Sequence, residues 1–590
     1  MVLLATYLST AAPDLTFWDA AEFMTGAHTL GIPHPPGTPL WILMGKLSAL
    51  LFSSAAPPRA ITLLSVWSSA LVGGVGAWMA SRWIGARGAV VSAVMAGTMY
   101  SIWNNATETE VYGVSLLASV CMLAAAEYAG RHDTPSEQRV RARGVIAFIA
   151  GLAVPLHLSV LVALPAAVAL AWRGPRPTVR AIMAWGALLL LGLSAVSVLP
   201  LLSARDPHLD SGNPETLRAM IAVLRREQYT VAGLWPRLAP LWLQVGNFFQ
   251  WADWQVAFGL HPLPTASVAR TTLSVLWVWL AMLGVRAVWC HDPRVGRGMI
   301  VLIVSATVGV VVWLNMRAGP SFGVGVLPPG AGHEARERDY FFVLGFWAWG
   351  LMAGAGAASL ATTLARRLPA PAALAPLLVV LVPLIANHPV ADRTREPVAS
   401  LPRTYARLLL DAVPQNGVLL AGGDNDTFPL WYLQQVEDYR SDVAIVTVPL
   451  LGAEWYRAEL AARRLLAPEA VSRWPGTDAV LRSVMIRAAE GRRPVRVSTL
   501  LGRADRHRLD PASGWALQGL VYAPAATAAA QTVVLDEPAL RAQREQVPRA
   551  ALAPLPPASD PAAHSAQDLL RCTTITSRAD PLLVSRCNGV

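Results

Sequence analysis

The sequence predicts a polytopic α-helical membrane protein that carries a soluble α/β domain at its C-terminal end. The chain has 590 residues, of which 54% are hydrophobic and only 15% are charged, and its mean hydropathy is +0.42. Soluble domains carry about a quarter charged residues, so this composition indicates a membrane protein. Apolar residues fill 1–388 and become sparse in 389–590. We therefore predict a membrane domain over 1–388 and a soluble domain over 389–590.

Apolar segments of suitable length divide the first region. A helical span needs about 20 apolar residues, or fewer if it is partly buried. The segment 1–10 is shorter than this, and we expect the first helix to be incomplete. The candidate segments are 1–10, 38–54, 60–81, 88–104, 111–129, 144–156, 158–172, 181–203, 270–290, 298–316, 340–362 and 370–388.

The positions of the arginines predict the orientation of these segments. Arginines are concentrated in the turns after 60–81, after 111–129, before 181–203, beside 270–290 and after 340–362. These turns all fall on one side if 38–54 lies along the surface and 144–172 forms two short spans. The positive-inside rule makes that side cytoplasmic. The arginines thus account for the net charge of +10, and we do not expect nucleic-acid binding because no basic stripe with interleaved aromatic residues occurs.

The opposite, outer side then receives the polar loops. They are the loop 11–37, the loop 104–110, the loop 204–269, the loop 317–339 and everything after 388. If the host is a bacterium, this topology predicts an inner-membrane protein whose polar loops and C-terminal domain face the periplasm.

The C-terminal region has the pattern of a small α/β domain. The run 417–421 is typical of a strand, 422–427 of a turn and helix start, and 443–448 of a second strand, which together predict a βαβ-like unit. The segment 523–565 is rich in Ala and Pro, and we predict a linker and irregular surface there. Cys572 and Cys587 either form a disulfide, if the domain is exported, or remain free thiols.

Two carboxylates three residues apart, Asp19 and Glu22, stand in the first outer loop. On a helix they would share a face, where one could accept a proton from a hydroxyl and the other could orient it or hold a metal ion. The same spacing also suits a capping box at the start of a surface helix. His34 follows in a His-Pro-Pro-Gly run whose prolines restrict the backbone, and an incidental turn histidine is the alternative.

Further candidates lie at the outer ends of later spans. Glu108 and Glu110 precede the span that begins near Tyr112. An acidic residue at the start of a membrane span is unusual and is more often functional than not. His157 stands at the outer turn between two short spans, where a buried and hydrogen-bonded histidine is the equal alternative.

A charged run, Arg336-Glu337-Arg338-Asp339-Tyr340, directly precedes another span on the outer side. Guanidinium groups suit a lipid-linked phosphate because their fork of donors matches the anion. The alternative is a cluster whose arginines pair with their own neighbouring acids. Trp242, Trp251 and Trp254 could line a sugar site, although most tryptophans are expected in an interfacial belt.

Several of these motifs occur together between about residues 5 and 460. They are Asp19-x-x-Glu22, Gly31-Ile32-Pro33-His34-Pro35-Pro36-Gly37, Glu110-Val111-Tyr112, the His157 turn, Gln228-Tyr229, Arg336-Glu337-Arg338-Asp339-Tyr340 and Gly423-Asp424-Asn425-Asp426-Thr427-Phe428-Pro429-Leu430-Trp431. In this combination the chain resembles the transmembrane O-mannosyltransferase-like family of the GT-C glycosyltransferase superfamily, and its bacterial branch especially.

The resemblance implies a GT-C fold with a catalytic outer loop at about 11–37 and a polyprenyl-phosphate sugar donor. It makes Asp19 the general base, with Glu22 as the second acid, in an inverting transfer. Mannose is the expected sugar and an exported protein the expected acceptor. A glycolipid or polysaccharide acceptor and a non-enzymatic transporter remain alternatives, and the need for a divalent metal stays open. The donor-binding candidates are His34, Glu110, Tyr112, His157, Arg336, Arg338 and Asp339.

Overall fold

A computed structural model describes residues 1–572, apart from 175, 230, 231, 329, 473, 511, 526, 527, 531, 558 and 559. In this part of the chain, seven helices are long and apolar enough to cross a membrane. They are Pro57–Gly97, Tyr112–Ala129, Val179–Ser203, Val268–His291, Pro293–Leu314, Asp339–Leu364 and Pro371–Ala391.

Further helices complete the membrane region. Ser136–Leu156 and the apolar Leu158–Ala171 are joined at His157, as the predicted pair of short segments requires. The others, mostly associated with the outer loops, are Val2–Thr10, Asp19–Thr29, Pro39–Leu51, Tyr100–Ala106, Leu217–Leu224 and Leu241–Ala257.

The long Pro57–Gly97 helix contains the two spans that the sequence separated. Gly85 interrupts it with a positive φ of 73°, a conformation that glycine adopts without strain. Leu3 packs against both Gly73 and Gly97, which stand equally far from Gly85 along the chain. The two halves therefore fold back on each other, and the predicted arginine-bearing turn between 60–81 and 88–104 is confirmed.

The arginine-rich turns gather at one end of the helices. The Arg82 and Arg131 guanidinium groups lie over the same Trp78 ring, 4.9 and 5.6 Å from its centroid. Arg139 donates to the Arg131 carbonyl at 3.0 Å, and Arg143 donates to the Arg173 carbonyl at 2.5 Å. These turns thus share one end of the bundle, as the sequence predicts, and we name it the arginine end.

The Pro39–Leu51 helix differs from the spans in its surroundings. Trp41 and Ile42 are fully buried against the rest of the protein, whereas Leu47, Leu50 and Leu51 are exposed. One apolar face without protein cover suits a helix that lies in the membrane surface, as predicted for 38–54.

The C-terminal region contains a six-stranded mixed sheet flanked by helices. The strands, named β1 to β6 in chain order, are Val418–Ala421, Ala444–Thr447, Val495–Ser498, Gly514–Gln518, Val521–Ala525 and Val533–Leu535. The helices are Leu401–Asp411, Asp424–Glu437, Glu454–Ala462, Glu469–Ser472, Thr477–Glu490, Arg503–Leu509, Glu537–Gln546 and Pro561–Cys572.

The strands lie in the order β2-β1-β3-β5-β4-β6. β1 is parallel to β2 and β3, β5 is antiparallel to β3 and β4, and β6 is parallel to β4. The predicted βαβ unit is confirmed as β1, the helix Asp424–Glu437 and β2.

The prediction of a linker and irregular surface over 523–565 is wrong for much of that segment. It supplies β6, the helix Glu537–Gln546 and the start of the helix Pro561–Cys572. Alanine favours helices, and Leu540, buried in the domain core, anchors one of them. The predicted Cys572–Cys587 pair lies partly outside the described residues, because Cys587 is not among them.

The soluble domain packs directly on the first outer helix. Its helix Asp424–Glu437 lies against the helix Asp19–Thr29. Apolar residues of both helices belong to one continuous buried cluster, among them Phe23, Met24, Leu430 and Trp431. The fold therefore places the turn before Asp424 beside the loop that carries Asp19.

Candidate active site

The Asp19 carboxylate forms the centre of the outer polar cluster. Asp19 is the first residue of its helix and follows Trp18, and no side-chain hydrogen bond caps the helix there. Arg336, 317 residues further along the chain, donates to Asp19 Oδ2 at 2.6 Å. Burial opposes ionisation of Asp19, but the positive charges of Arg336 and His34 outweigh it and hold the pKa of this carboxyl below its ordinary value.

A second carboxylate, Glu110, lies on the other side of Arg336. Its Oε1 is 4.0 Å from the Arg336 guanidinium. The backbone of Glu110 is fixed by the Trp41 indole and the Ser65 hydroxyl, which both donate to its carbonyl at 3.3 Å. Burial, followed by the negative charge of Asp19, raises the pKa of Glu110 to about 8. At neutral pH Asp19 is therefore ionised and Glu110 protonated. Neighbouring acids with opposite pKa shifts are common in sites of acid–base catalysis.

Glu22 does not join Asp19 but binds His34. The buried Glu22 carboxylate accepts the His34 backbone N–H at 2.8 Å and lies 2.5 Å from the ring Nδ1. Burial lowers the pKa of His34, but the charges of Glu22, Asp19 and Asp424 raise it to about 9. The capping-box alternative is therefore not what forms, because Glu22 fastens the His-Pro-Pro-Gly turn to the helix instead.

Aromatic rings enclose the arginines. The Arg336 guanidinium lies 4.6 Å from the Tyr340 ring centroid and 5.2 Å from that of Trp18. The Tyr340 hydroxyl accepts hydrogen bonds from both Arg336 and Arg338. Such contacts position a cation and limit its exposure to water. The alternative, in which the arginines pair with acids of their own run, is therefore wrong for Arg336.

Two of the predicted donor-binding residues form a layer behind Arg336. The Tyr112 ring packs on the Tyr340 ring with 4.9 Å between centroids, and the His157 ring meets Tyr112 edge-on at 5.2 Å. His157 is itself hydrogen-bonded locally, through Nδ1 to the Ser159 hydroxyl at 2.8 Å. The layer supports the arginine through ring contacts and not through its own charge.

Two further acids lie at the edge of the cluster. Asp339 accepts a hydrogen bond from the Ser101 hydroxyl. Glu108 pairs with Arg393 at 2.8 Å, so it does not share Arg336 with Glu110.

Arg338 is the second arginine of the run and lies beside the cluster. Its guanidinium is 3.3 Å from Glu334, four residues earlier. About a quarter of its side chain is exposed, more than for Arg336. Arg338 is therefore more available to an incoming anion than Arg336, which is already engaged by Asp19.

Two cavities meet near the cluster. A polar cavity of about 530 Å³ is lined by Trp18, Glu110 and Arg336. An apolar groove of about 1290 Å³ runs between the helices Leu241–Ala257, Val268–His291 and Pro293–Leu314. Pro264 lines both, so the groove and the polar cavity are neighbours. Further residues that line the polar cavity are Thr16, Tyr100, Glu108, Trp254, Glu337, Asp339, Tyr340, Arg393, Asp560 and His564.

Of the three tryptophans considered for a sugar site, one lines this cavity. Trp254 contributes to its wall. The Trp251 indole donates to Glu337 at 2.8 Å instead, and Trp242 is 63% exposed. The prediction therefore holds for Trp254 as a cavity residue and not for Trp242.

The C-terminal domain brings residues to the cluster that the sequence analysis did not name as site candidates. Asn425 accepts the Trp18 backbone N–H at 2.8 Å, and Asp560 accepts from the Trp18 indole at 2.8 and 2.9 Å. Burial and then the charges of Asp19 and Glu22 raise the pKa of Asp424 to about 6. The run that contains Asp424 and Asn425 was visible as a motif but resembled only a helix start, and Asp560 stands in a segment without any motif.

Among the described residues, no group of three or more His, Cys, Asp or Glu side chains is arranged to hold a metal ion. Asp19 and Glu110 lie 2.6 and 4.0 Å from different nitrogens of the Arg336 guanidinium.

The fold is similar to that of ArnT from Cupriavidus metallidurans. The structure of ArnT in the apo state gives a TM-score of 0.51 and 14% identity, over 89% of this chain and 96% of ArnT. The structure of the same protein bound to undecaprenyl phosphate gives a TM-score of 0.51 and 13% identity, over 89% and 97%. The chain has the fold of a GT-C membrane glycosyltransferase, as predicted.

Sequence comparisons show which family the chain resembles. The model of the protein O-mannosyl-transferase TMEM260 N-terminal domain matches residues 19–178, and that of TMEM260-associated domain 2 matches residues 402–473. The protein O-mannosyl-transferase TMEM260 of Mus musculus is 23% identical over 508 residues, which are 82% of this chain and 66% of that protein. The Dictyostelium discoideum protein of the same name is 22% identical over 503 residues, 76% of this chain and 56% of that protein.

In the regions 19–178 and 402–473 the chain is similar to the transmembrane O-mannosyltransferase-like family, and the resemblance seen in its motifs is confirmed. It is a multi-pass membrane protein. It spans about two thirds of the length of the mouse relative and just over half of the length of the Dictyostelium relative.

Proposed function

We propose that the cluster around Asp19 is the active site of an inverting glycosyltransferase that moves a hexose from a polyprenyl phosphate to a hydroxyl group. One observation carries the proposal: Asp19 is held ionised by Arg336, which lines a polar cavity that shares Pro264 with an apolar groove. An ionised carboxylate can accept a proton, and the groove has the apolar lining that a polyprenyl chain needs.

In the proposed step, the Asp19 carboxylate accepts the proton of the acceptor hydroxyl. The hydroxyl oxygen bonds to the anomeric carbon of the sugar from the side opposite the phosphate, which inverts that carbon. The bond between the anomeric carbon and the phosphate oxygen breaks, and the polyprenyl phosphate leaves with the electron pair. The arginines stabilise the negative charge that develops on this phosphate.

Arg336 has two roles in the proposed step, one toward Asp19 and one toward the donor phosphate. Its charge lowers the pKa of Asp19, which weakens Asp19 as a base. A donor phosphate that binds Arg336 and Arg338 shares the positive charge, so the basicity of Asp19 rises once the donor is in place. The protonated Glu110, on the other side of Arg336, adds no second negative charge to repel that phosphate.

The donor, sugar and acceptor are proposed from the relatives. ArnT, which shares the fold, has been solved with undecaprenyl phosphate, and this supports a polyprenyl-phosphate donor. The names of the mouse and Dictyostelium relatives support mannose as the sugar and a protein as the acceptor. We propose that Asp19 is the base and that Glu22 and His34 hold its helix, while Arg336, Arg338 and the residues Tyr112, His157 and Asp339 form the donor side.

The arginine end gives the proposed orientation. Arginine-rich turns are retained in the cytoplasm, so the opposite end, with Asp19 and the C-terminal domain, would face outward. In a bacterial host this places catalysis at the periplasmic face of the inner membrane, where an exported protein would present its hydroxyls.

The proposal is tested with the purified protein in lipid vesicles. The vesicles receive radiolabelled polyprenyl-phosphate-mannose, polyprenyl-phosphate-glucose or a nucleotide-linked mannose, together with Ser/Thr peptides or an extract of membrane glycolipids. We expect transfer from polyprenyl-phosphate-mannose to the peptides. Transfer only to the glycolipids would show that the acceptor is a glycolipid and not a protein. Movement of the lipid-linked sugar across the bilayer without any transfer would show a transporter and not an enzyme.

A further inference from the structure

The residue before the proposed base has an unusual backbone conformation. Trp18 has φ of 61° and ψ of −145°, a region ordinarily occupied by glycine, because a Cβ atom crowds the backbone there. Asp19 follows directly and starts the helix Asp19–Thr29. The direction in which the Asp19 carboxylate points therefore depends on what holds Trp18 in this conformation.

Contacts from distant parts of the chain hold Trp18. Asn425 Oδ1 accepts its backbone N–H at 2.8 Å. Both oxygens of Asp560 accept the indole N–H, at 2.9 and 2.8 Å. The Arg336 guanidinium covers the ring at 5.2 Å. Two of these three partners belong to the C-terminal domain, so the domain touches the Asp19 loop through both the backbone and the side chain of one residue.

Asn425 is itself fixed in a rigid part of the domain. It lies in the first turn of the helix Asp424–Glu437, directly after β1. Asp426 anchors this turn, since its fully buried carboxylate accepts the Tyr405 hydroxyl and the Gly422 backbone N–H, both at 2.9 Å. The turn that carries Asn425 is therefore anchored in the domain core and not by the loop that Asn425 contacts.

We propose that Asn425 is a positioning residue for the reaction: through the Trp18 backbone it sets the position of the Asp19 carboxylate, so that the C-terminal domain completes the active site. Asp560 supports Trp18 by accepting the hydrogen bond of its indole N–H. This inference rests on the proposed function, and it gives the C-terminal domain a role in the transfer itself.

The first test measures transfer in vesicles with three variants. Asn425→Leu removes the acceptor oxygen at similar size, and Asn425→Asp keeps an oxygen in the same place. Gln518→Met is the matched control, because it removes one side-chain hydrogen bond, to Asp536 at 2.8 Å, from β4, three strands away from β1. We expect kcat of Asn425→Leu to fall about 10- to 100-fold with little change in KM for the donor, since a small misplacement of a catalytic group acts on the chemical step.

In the same test, Asn425→Asp should recover most of the rate on the alkaline plateau of the pH profile, and Gln518→Met should keep the kcat of the wild type. Wild-type kcat in Asn425→Leu would overturn the inference. So would an equal loss in Asn425→Leu and Gln518→Met, which would show a merely structural effect.

A second measurement does not depend on activity. Hydrogen–deuterium exchange is followed in the peptide that contains Trp18 and Asp19. In Asn425→Leu this peptide should exchange roughly tenfold faster or more, because the Trp18 N–H loses its acceptor, while Asn425→Asp and Gln518→Met should match the wild type. Unchanged exchange in Asn425→Leu would overturn the inference. If the wild type transfers no sugar, the proposed function fails, and the exchange result still decides whether Asn425 holds the loop.

Discussion

Each end of the helical bundle contains a buried ion cluster, and the two clusters differ in how their charges are satisfied. At the arginine end, Glu127 binds Arg131, its neighbour four residues later, and lies 3.7 Å from Arg294. Arg294 also donates to the Leu170 carbonyl at 2.8 Å. At the outer end, Arg336 faces two carboxylates from remote parts of the chain, Asp19 and Glu110, beside a cavity.

Burial of charge alone therefore does not identify the active site. The cluster at the arginine end joins helix ends through one shared carboxylate, Glu127, and through backbone carbonyls, an arrangement that serves packing. At the outer end the charges of Arg336 and His34 overcome burial and lower the pKa of Asp19, whereas burial and then the charge of Asp19 raise that of Glu110 to about 8. Opposite shifts of neighbouring acids, together with space for a ligand, are what a site of proton transfer requires.

The largest effect that separates the two ends is expected from Arg336→Met. Loss of the guanidinium should lower kcat about 10²- to 10³-fold, because the leaving phosphate loses a positive charge. The pKa of Asp19 should rise as well, which moves the acidic limb of the pH profile of kcat/KM to higher pH. Arg336→Lys should retain part of the rate and move the limb less far, since it keeps a point charge. Both are measured as initial rates of mannose transfer.

The control for this prediction is Arg131→Lys at the arginine end. It should leave kcat and the acidic limb as in the wild type. An unchanged acidic limb in both Arg336 variants would contradict the assignment of Asp19 as the group that titrates there.

Glu127→Gln should affect folding but not catalysis. The change deprives the buried Arg131 of its countercharge and takes one from Arg294, and we expect a loss of about 3 kcal/mol in the free energy of unfolding. Thermal unfolding in detergent measures this loss, and kcat per folded protein should stay unchanged. Glu137→Gln is the matched control: its pair with Arg141 is 75% exposed, so its loss should cost less than about 1 kcal/mol. Equal free energies of unfolding for the two variants would contradict the structural role of the Glu127 cluster.

The smallest effect concerns the Glu22–His34 pair. The pKa of His34, about 9, lies above the ordinary value of 6.5, so His34 is protonated more readily in the folded protein. The stabilisation is fully present below pH 6.5 and is lost as the pH rises to about 9. We expect the wild type to lose on the order of 1 kcal/mol over this window, after allowance for solvent screening of a partly exposed ring.

Thermal unfolding between about pH 6 and pH 9.5, a window that brackets both pKa values, measures this loss. Glu22→Gln should make the profile nearly flat, because His34 no longer gains a countercharge on folding. His132→Asn, which replaces an exposed histidine at the arginine end, should keep the slope of the wild type. A slope in Glu22→Gln equal to that of the wild type would assign the pH dependence to another group.

Local sequence patterns predicted much of the fold. Span lengths, the arginine turns and the βαβ unit depend on neighbouring residues, and each appears at or near its predicted place. Gly85 shows this well: an arginine on either side of it marked the turn, although the helix runs from Pro57 to Gly97 with only that interruption. The prediction for the Ala/Pro-rich segment failed because its composition does not reveal that strand β6 has a partner.

The site was predictable only in its parts. The spacing of Asp19 and Glu22 suggested a joint role, but tertiary structure gives Glu22 to His34 and places Glu110 beside Arg336 instead. The contact between Asp19 and Arg336 joins residues 317 apart, and no spacing rule reaches so far. Asp560 could not be found at all, because its role depends on where the C-terminal domain docks.

The central claim is that Asp19, and not its neighbour Glu22, accepts the proton. Single-turnover transfer of mannose, with enzyme in excess over polyprenyl-phosphate-mannose, tests it directly in Asp19→Asn and Glu22→Gln proteins, each measured well below its own unfolding temperature. We expect a loss of about 10³-fold or more for Asp19→Asn and a loss of about tenfold for Glu22→Gln, which only loosens the helix. A wild-type rate in Asp19→Asn, or the larger loss in Glu22→Gln, would contradict this claim.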